Sequence, residues 1–189
     1  AATISGVEAF QVQVSGAARA FDADGLEGMT ELENHRGSDN LTVTNMESTG
    51  TTISLDRIST ANTTSVTFKN AALAGTDDTV SVALDRVTAA ENITLTSAGA
   101  NDIETLTIHS TGSEDNIIGT LLVDDSAHND TMKKLIITGD AKLDADAGDM
   151  DFAHIETMGV GEVSATPDMA NVQVEVTTTE RSAKEAKQV

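Results

Sequence analysis

Aspartates that follow a glycine at short spacing are the residues of this chain that point most directly to chemistry. Three turns have this form before a strand-like run: Gly37-Ser38-Asp39-Asn40, Gly75-Thr76-Asp77-Asp78 and Gly112-Ser113-Glu114-Asp115. Hard cations prefer carboxylate oxygens, so we predict calcium ligands at Asp39, Asp77, Asp78 and Asp115. The same pattern is also typical of turns that bind no ion, because Gly supplies a positive φ and Asp hydrogen-bonds to its own backbone.

A second group of carboxylates lies near the C-terminal third of the chain. Its members are Asp144, Asp146, Asp149 and Asp151. On a strand this near-alternate spacing would place several carboxylates on one face, where they repel one another unless they are neutralised. We predict a second calcium site there, with a solvated acidic face as the alternative.

The sequence lacks the common catalytic motifs. It contains no Cys, no G-x-S-x-G elbow and no Walker loop, and its four histidines show no zinc-binding spacing. The histidines are His35, His109, His128 and His154. We therefore predict a protein that is not an enzyme and does not bind zinc.

The charge balance narrows the range of partners. The chain has 31 acidic and 11 basic residues, for a net charge of −20. Nucleic acids and anionic membranes attract Lys and Arg, so neither is an expected partner. No apolar run approaches the roughly 18 residues that a membrane span requires. Divalent cations are the partners that this composition favours.

An internal repeat indicates the elements that position these aspartates. Leu55-Asp56-Arg57-Ile58 and Leu84-Asp85-Arg86-Val87 lie 29 positions apart, and both belong to segments that alternate apolar and polar residues. Alternation with many β-branched residues predicts strands with one buried face, and repetition at this period predicts stacked units. The expected fold is all-β, with short stacked strands in a β-solenoid or β-roll. A β-sandwich with one duplicated hairpin is the alternative.

Two regions depart from this pattern. Residues 16–36 are irregular and acidic, which predicts a non-strand insert with a short helical turn around Leu26, Met29 and Leu32. After about Gly159 the chain changes character again, with a predicted strand over 171–176 and a short C-terminal helix that begins near Glu180. The predicted domains are a strand-repeat domain over 1–158 and a C-terminal segment over 159–189.

The first 158 residues resemble the Thr, Ala and Gly-rich repeats of bacterial surface-layer (S-layer) proteins. The segments that carry the resemblance are residues 6–12, 103–112 and 134–143. They are similar to the strand repeats of calcium-dependent surface-layer proteins of the Caulobacter type. The Gly-x-Asp turns are similar to half of the nonapeptide of RTX β-rolls, although the leading glycines are missing. The resemblance implies an extracellular structural protein tied together by Ca²⁺.

The tail carries a second, local resemblance. Gly161-Glu162-Val163-Ser164-Ala165-Thr166-Pro167 and the segment that follows it look like the opening strands and helix of SIMPL domains, a family of the cell envelope. The chain covers about one unit of that longer domain. A complete SIMPL fold is therefore not expected, and the tail is expected to pack as a strand pair and a short helix.

These observations together predict a secreted structural protein at the cell surface. It would form a surface layer or filament by self-association, stabilised by calcium, with cell-surface polysaccharide as a further candidate partner. Two alternatives remain open at this stage. One is an adhesin or other module that binds carbohydrate or protein, and the other is the non-catalytic scaffold of a secreted hydrolase.

Overall fold

The computed structural model describes residues 3–123 and 132–145, and the backbone of residues 150–152. Within these ranges the chain forms short strands and a single 3₁₀ helix at Asn70–Leu73. The strands are β1 (Ile4–Ser5), β2 (Ala9–Val12), β3 (Arg19–Asp22), β4 (Leu26–Glu27), β5 (Glu31–His35), β6 (Leu41–Met46), β7 (Thr52–Asp56), β8 (Thr63–Phe68), β9 (Thr79–Asp85), β10 (Glu91–Ser97), β11 (Thr105–Thr111), β12 (Asn116–Val123), β13 (Lys134–Gly139), β14 (Leu143–Asp144) and β15 (Met150–Phe152).

The strands form a parallel β-solenoid of about five turns. Sheet I has the order β2, β5, β7, β9, β11, β13, and sheet II has the order β3, β6, β8, β10, β12, β14, with β15 also paired to β12. Each of the first five turns contributes one strand to each sheet, β13 and β14 extend the two sheets beyond them, and every neighbouring pair is parallel. Parallel neighbours require a connection that returns to the same end of the sheet. In this protein the chain makes that return by forming a strand of the other sheet. The predicted solenoid is therefore confirmed, and the sandwich alternative is wrong.

The internal repeat corresponds to one turn of the solenoid. Leu55 pairs with Leu84 and Asp56 pairs with Asp85 where β7 and β9 lie side by side. The turns are not equal in length. Side-chain hydrogen bonds between equivalent positions join residues 22 apart at Gln11 and Glu33, and 29 apart at Thr67 and Thr96. Most of the additional residues lie in the connections, and one-residue register shifts occur in the pair of β6 with β8 and the pair of β10 with β12.

The core lies between the two sheets and follows the alternation of the sequence. Inward positions stack from turn to turn, so Ile53 lies beside Val82 in sheet I and Val66 lies beside Leu95 in sheet II. All four side chains are at most 1% exposed. Full burial of a side chain of this size contributes about 1.5–3 kcal/mol relative to exposure, so each position in these columns stabilises the stack.

The corner from sheet I to sheet II has an unusual backbone conformation. Arg36, Arg57 and Arg86 follow the strand ends directly and have φ values of 51°, 55° and 55°, in the left-handed region that non-glycine residues seldom adopt. The conformation turns the chain inward, so that the following residues, Ile58 and Val87, are fully buried. The repeated Asp-Arg-apolar sequence is therefore the corner of the third and fourth turns, and His35-Arg36-Gly37 forms the equivalent corner of the second.

The region predicted to be a non-strand insert is part of the solenoid. Residues 19–22, 26–27 and 31–35 form β3, β4 and β5, and the helical turn predicted around Leu26 and Met29 is absent from this described segment. The prediction of an insert is wrong because acidic and glycine residues interrupt the alternation, whereas pairing with the next turn determines the backbone. β1 and β4 form a separate small parallel sheet, in which Ile4 pairs with Leu26.

The C-terminal predictions lie outside the described residues. They are the 159–189 domain, the SIMPL-like segment, the strand over 171–176 and the short helix near Glu180. In the part of the chain that the structure does describe, no helix is long and apolar enough to cross a membrane.

Candidate functional site

The predicted calcium ligands are distributed over different corners of the solenoid. Asp39 and Asp115 lie at the corner from sheet I to sheet II, but in the second and fifth turns, whereas Asp77 lies at the opposite corner, before β9. Asp77 and Asp115 are exposed, and Asp39 is partly buried. The fold therefore does not bring these three aspartates into one site, and calcium binding at each of them stays a prediction.

Asp78 shapes a turn through its own side chain. Its Oδ2 accepts a hydrogen bond from the Gly75 backbone N–H at 2.9 Å, and its own N–H donates to Glu104 Oε2 at 2.8 Å. These bonds satisfy backbone donors at the entry to β9. The turn-forming alternative considered for the Gly-x-Asp pattern is thus observed at this residue, whether or not the residue also binds an ion.

Asp115 and Asp144 share a lysine. Lys142 Nζ lies 3.0 Å from Asp144 Oδ2 and 3.6 Å from Asp115 Oδ2. The hydrogen bond to Asp144, with a smaller contribution from Asp115, raises the pKa of Lys142. The pairing of β12 with β14 brings these residues of different turns together. Of the other predicted ligands, Asp146 and Asp149 lie outside the described residues, and Asp151 is described only as backbone in β15.

The described residues bring together one group of three metal-ligating side chains, and the sequence analysis did not predict it. The group consists of Glu33, His35 and Asp56, and one ligand atom of each lies within 4.8 Å of the others. His35 Nδ1 is 3.1 Å from Glu33 Oε1 and 2.7 Å from Asp56 Oδ2. The side chains of His35, Glu33 and Asp56 are 22%, 21% and 18% exposed, so the group is partly buried.

Register explains why these side chains meet. Glu33 and His35 are two positions apart on β5, so both face outward. Asp56 pairs with His35 in the next turn, on β7. Aligning Asn34-His35-Arg36 with Leu55-Asp56-Arg57 gives the same pairing, and that alignment is the sequence signal that could have identified the group.

Neighbouring side chains hold the outer atoms of the group. Gln11 Nε2 donates to Glu33 Oε2 at 2.7 Å from the preceding turn. Arg86 Nη2 lies 3.4 Å from Asp56 Oδ1 and reaches it from the following turn. Hydrogen bonding to Asp85, with a smaller contribution from Asp56, raises the pKa of Arg86. One oxygen of each carboxylate is thus bound by a neighbouring side chain, and the other oxygen is directed towards His35.

A second polar group connects the turns at the opposite corner. Lys69 Nζ donates to the carboxylates of both Asp24 and Glu47, so three successive turns meet there. The hydrogen bond from Lys69 lowers the pKa of Glu47, and these two hydrogen bonds raise the pKa of Lys69. Nearby, the hydrogen bond from Asn45 lowers the pKa of Asp22.

A chain of buried polar groups runs along the interior. Asn34 Nδ2 donates to Thr64 Oγ1 at 2.9 Å, and Thr64 Oγ1 donates to Glu91 Oε1 at 2.9 Å. Each of the three residues is at most 2% exposed. Burial raises the pKa of Glu91, and this effect exceeds the opposing influence of its hydrogen bonds.

No protein family model, characterised protein or solved structure matches this chain. The fold and the polar groups described above are therefore the only basis for inferring its function.

The N-terminal end of the solenoid presents two strand edges. Among the described strands, β2 and β3 each have a sheet partner on one side only. Phe10 of β2 and Phe21 of β3 stack across the end of the core, with ring centroids 4.7 Å apart and planes at 16°. Both rings are partly buried, whereas Phe68, in the middle of the stack, is fully buried. In the described residues the apolar core thus reaches this end of the molecule.

Proposed function

We propose that this protein is a structural component of an extracellular surface layer or filament, and that its copies associate through the terminal strands of the solenoid. The observation that carries the proposal is the pair of one-sided strands, β2 and β3, beside the stacked rings of Phe10 and Phe21. An edge strand presents unpaired N–H and C=O groups that readily pair with another strand. A further parallel turn added there would also cover the two rings.

The directions of the backbone N–H groups along β2 and β3 show which of them could pair with a strand of another copy. The Arg19 N–H donates to the carbonyl of Asn40, the residue before β6, and the Ala23 N–H donates to the carbonyl of Thr44 in β6, at 2.9 Å each. Since N–H groups alternate along a strand, the intervening Ala20 N–H points away from sheet II. Just before β2, the backbone of Glu8 faces β5, because its carbonyl accepts a hydrogen bond from Glu31 N–H. By the same alternation, Ala9 N–H points to the open side.

Calcium is the proposed switch for association. A net charge of −20 opposes the approach of two copies, and bound cations would reduce that repulsion. The proposed sites remain the corner aspartates Asp39, Asp77, Asp78 and Asp115, with the group from Asp144 to Asp151. In this proposal Ca²⁺ both stabilises the corners and permits contact between copies.

The experiment measures particle size by sedimentation velocity and electron microscopy during a Ca²⁺ titration. The parent chain is compared with Ala9→Pro/Ala20→Pro, which removes both outward donors, and with Ala9→Ser/Ala20→Ser as the matched control. We expect the parent and the Ser control to grow into filaments or sheets, and the Pro variant to remain monomeric with an unchanged circular dichroism spectrum. A parent chain that stays monomeric at every Ca²⁺ concentration, or a Pro variant that assembles normally, contradicts the proposal. The former result would favour the adhesin alternative.

A further inference from the structure

We propose that Glu33, His35 and Asp56 form a binding site for a divalent first-row transition-metal ion, with Zn²⁺ as the best fit. This site is separate from the calcium sites and goes beyond the proposed structural function. It spans two turns of the solenoid, because Glu33 and His35 belong to β5 and Asp56 belongs to β7. A bound ion would therefore link adjacent turns.

The distances show that the ligand atoms need to move little. Ligand atoms about 2.1 Å from a tetrahedral Zn²⁺ lie about 3.4 Å from one another. His35 Nδ1 is 2.7 Å from Asp56 Oδ2 and 3.1 Å from Glu33 Oε1, and all three atoms lie within 4.8 Å of one another. To accept an ion, the distance from His35 Nδ1 to Asp56 Oδ2 would widen by about 0.7 Å and the distance to Glu33 Oε1 by about 0.3 Å, with the fourth position open to water.

The surrounding hydrogen bonds orient the ligands in the way that metal sites require. Partners outside the ligand set commonly fix the orientation of ligating side chains. Gln11 holds Glu33 Oε2, and Arg86 lies beside Asp56 Oδ1, while the oxygens that face His35 are Glu33 Oε1 and Asp56 Oδ2. The residues that supply this support come from the turns on either side, so the geometry depends on the stacked fold.

The ligand set distinguishes the expected metal from calcium. Imidazole nitrogen suits Zn²⁺, Cu²⁺, Ni²⁺ and Fe²⁺, whereas Ca²⁺ takes six to eight oxygen ligands. One nitrogen and two carboxylate oxygens at a partly buried position therefore favour a transition metal. The competing explanation is that a protonated His35 bridges the two carboxylates as an ion pair without a metal, and the experiment is designed to separate the two.

The test is isothermal titration of the full metal-free chain with ZnCl₂ at neutral pH, with circular dichroism to verify that each variant is folded. We expect saturation at one Zn²⁺ per chain that depends on this site. His35→Asn should weaken binding at least tenfold, and Gln11→Ala should weaken it about tenfold. His109→Asn is the matched control, because His109 lies on the same outer face of sheet I and its Nδ1 contacts Thr138 Oγ1 at 2.8 Å instead of a carboxylate. Excess Ca²⁺ should not displace the Zn²⁺.

A second readout follows the imidazoles by ¹⁵N nuclear magnetic resonance. The His35 Nδ1 signal should move on addition of Zn²⁺, and the His109 signals should remain in place. Absence of saturable Zn²⁺ binding in the parent chain, or equal affinity in the His35→Asn variant, would overturn the inference in favour of the ion pair. Either result would leave calcium-dependent assembly unaffected, since that proposal rests on different residues.

Discussion

The Thr64 hydroxyl donates a hydrogen bond across 2.9 Å to the Glu91 carboxylate in the next turn, and both side chains are buried in the interior of the solenoid. Glu91 also accepts from the Asn62 backbone N–H at 3.0 Å. A buried carboxylate is costly unless its oxygens are hydrogen-bonded. Here the two donors come from the preceding turn, so Glu91 joins the third and fourth turns from the inside.

Replacement of Glu91 tests whether its hydrogen bonds between the third and fourth turns stabilise the fold. Glu91→Ala should lower the free energy of unfolding by about 2–4 kcal/mol, since it leaves the Thr64 hydroxyl and the Asn62 N–H without their partner and creates a cavity. Urea unfolding followed by circular dichroism measures the loss. Thr67→Ala, which removes an outer hydroxyl that contacts Thr96, is the control and should cost much less. A Glu91→Ala variant as stable as the control would contradict this account.

The pH dependence of Glu91 gives a second prediction. Its folded-state pKa is raised above the ordinary value of 4.5, so its contribution to stability is full below that value and is lost as the pH rises through the folded pKa. Glu91→Gln cannot ionise. The variant should therefore gain stability relative to the parent as the pH rises from about 4 towards neutrality. Melting temperatures across this range measure the difference, and a constant difference would contradict the prediction.

The corner conformation predicts unequal effects of removing two equivalent arginines. Arg57→Gly should raise the free energy of unfolding by about 0.5–1 kcal/mol, because Gly adopts the left-handed conformation without strain and the Arg57 side chain lies 3.8 Å from its nearest carboxylate. Arg86→Gly relieves the same strain, but it also removes contacts of 2.9 Å with Asp85 and 3.4 Å with Asp56. The free energy of unfolding should therefore rise less in Arg86→Gly than in Arg57→Gly, or not at all. Urea unfolding of both variants is the measurement, and a loss of stability in Arg57→Gly would show that strain at this corner is unimportant.

The lysine that joins three turns predicts sensitivity to acid. The pKa of Glu47 is lowered by Lys69, so its stabilising contribution is present above the ordinary value of 4.5 and is lost as the pH falls through the folded pKa. Lys69→Met should reduce the melting temperature at neutral pH and have little effect in acid. Lys133→Met is the control, since Lys133 Nζ donates to the Thr76 carbonyl oxygen at 2.7 Å, and its effect should not depend on pH. An equal loss at both pH values for Lys69→Met would count against the ion pair.

Substitutions of Asp77 and Asp78, in the turn before β9, distinguish a role in backbone capping from a role in calcium binding. Asp78→Ala should lower the free energy of unfolding by about 1 kcal/mol, with or without chelator, because it removes the acceptor for Gly75 N–H. Asp77→Ala, at the exposed neighbouring position, should have no effect in chelator. Thermal melts in Ca²⁺ and in chelator provide the comparison. A loss on Asp78→Ala that disappears in chelator would instead assign this side chain to an ion.

The sequence alone determined which residues form the core and how the units stack. Alternation places Ile53, Val66, Val82 and Leu95 inside because successive side chains of a strand point to opposite faces. The repeated Leu-Asp-Arg sequence indicates one unit per turn. The alternation is a local signal and the repeat is a comparison of two segments, so both can be recognised without the structure. Together they sufficed to predict stacked strands.

The tertiary structure decided which polar residues meet. His35 meets Asp56, and Lys69 meets Asp24 and Glu47, only because strands pair in register across connections of unequal length. A shift of one residue would turn these side chains to the opposite face. The register is set by the packing of the whole stack and by the corner conformation of Arg36, Arg57 and Arg86, for which residue type gives little indication. The calcium ligands were predicted from local turn patterns, whereas the group around His35 depends on stacking.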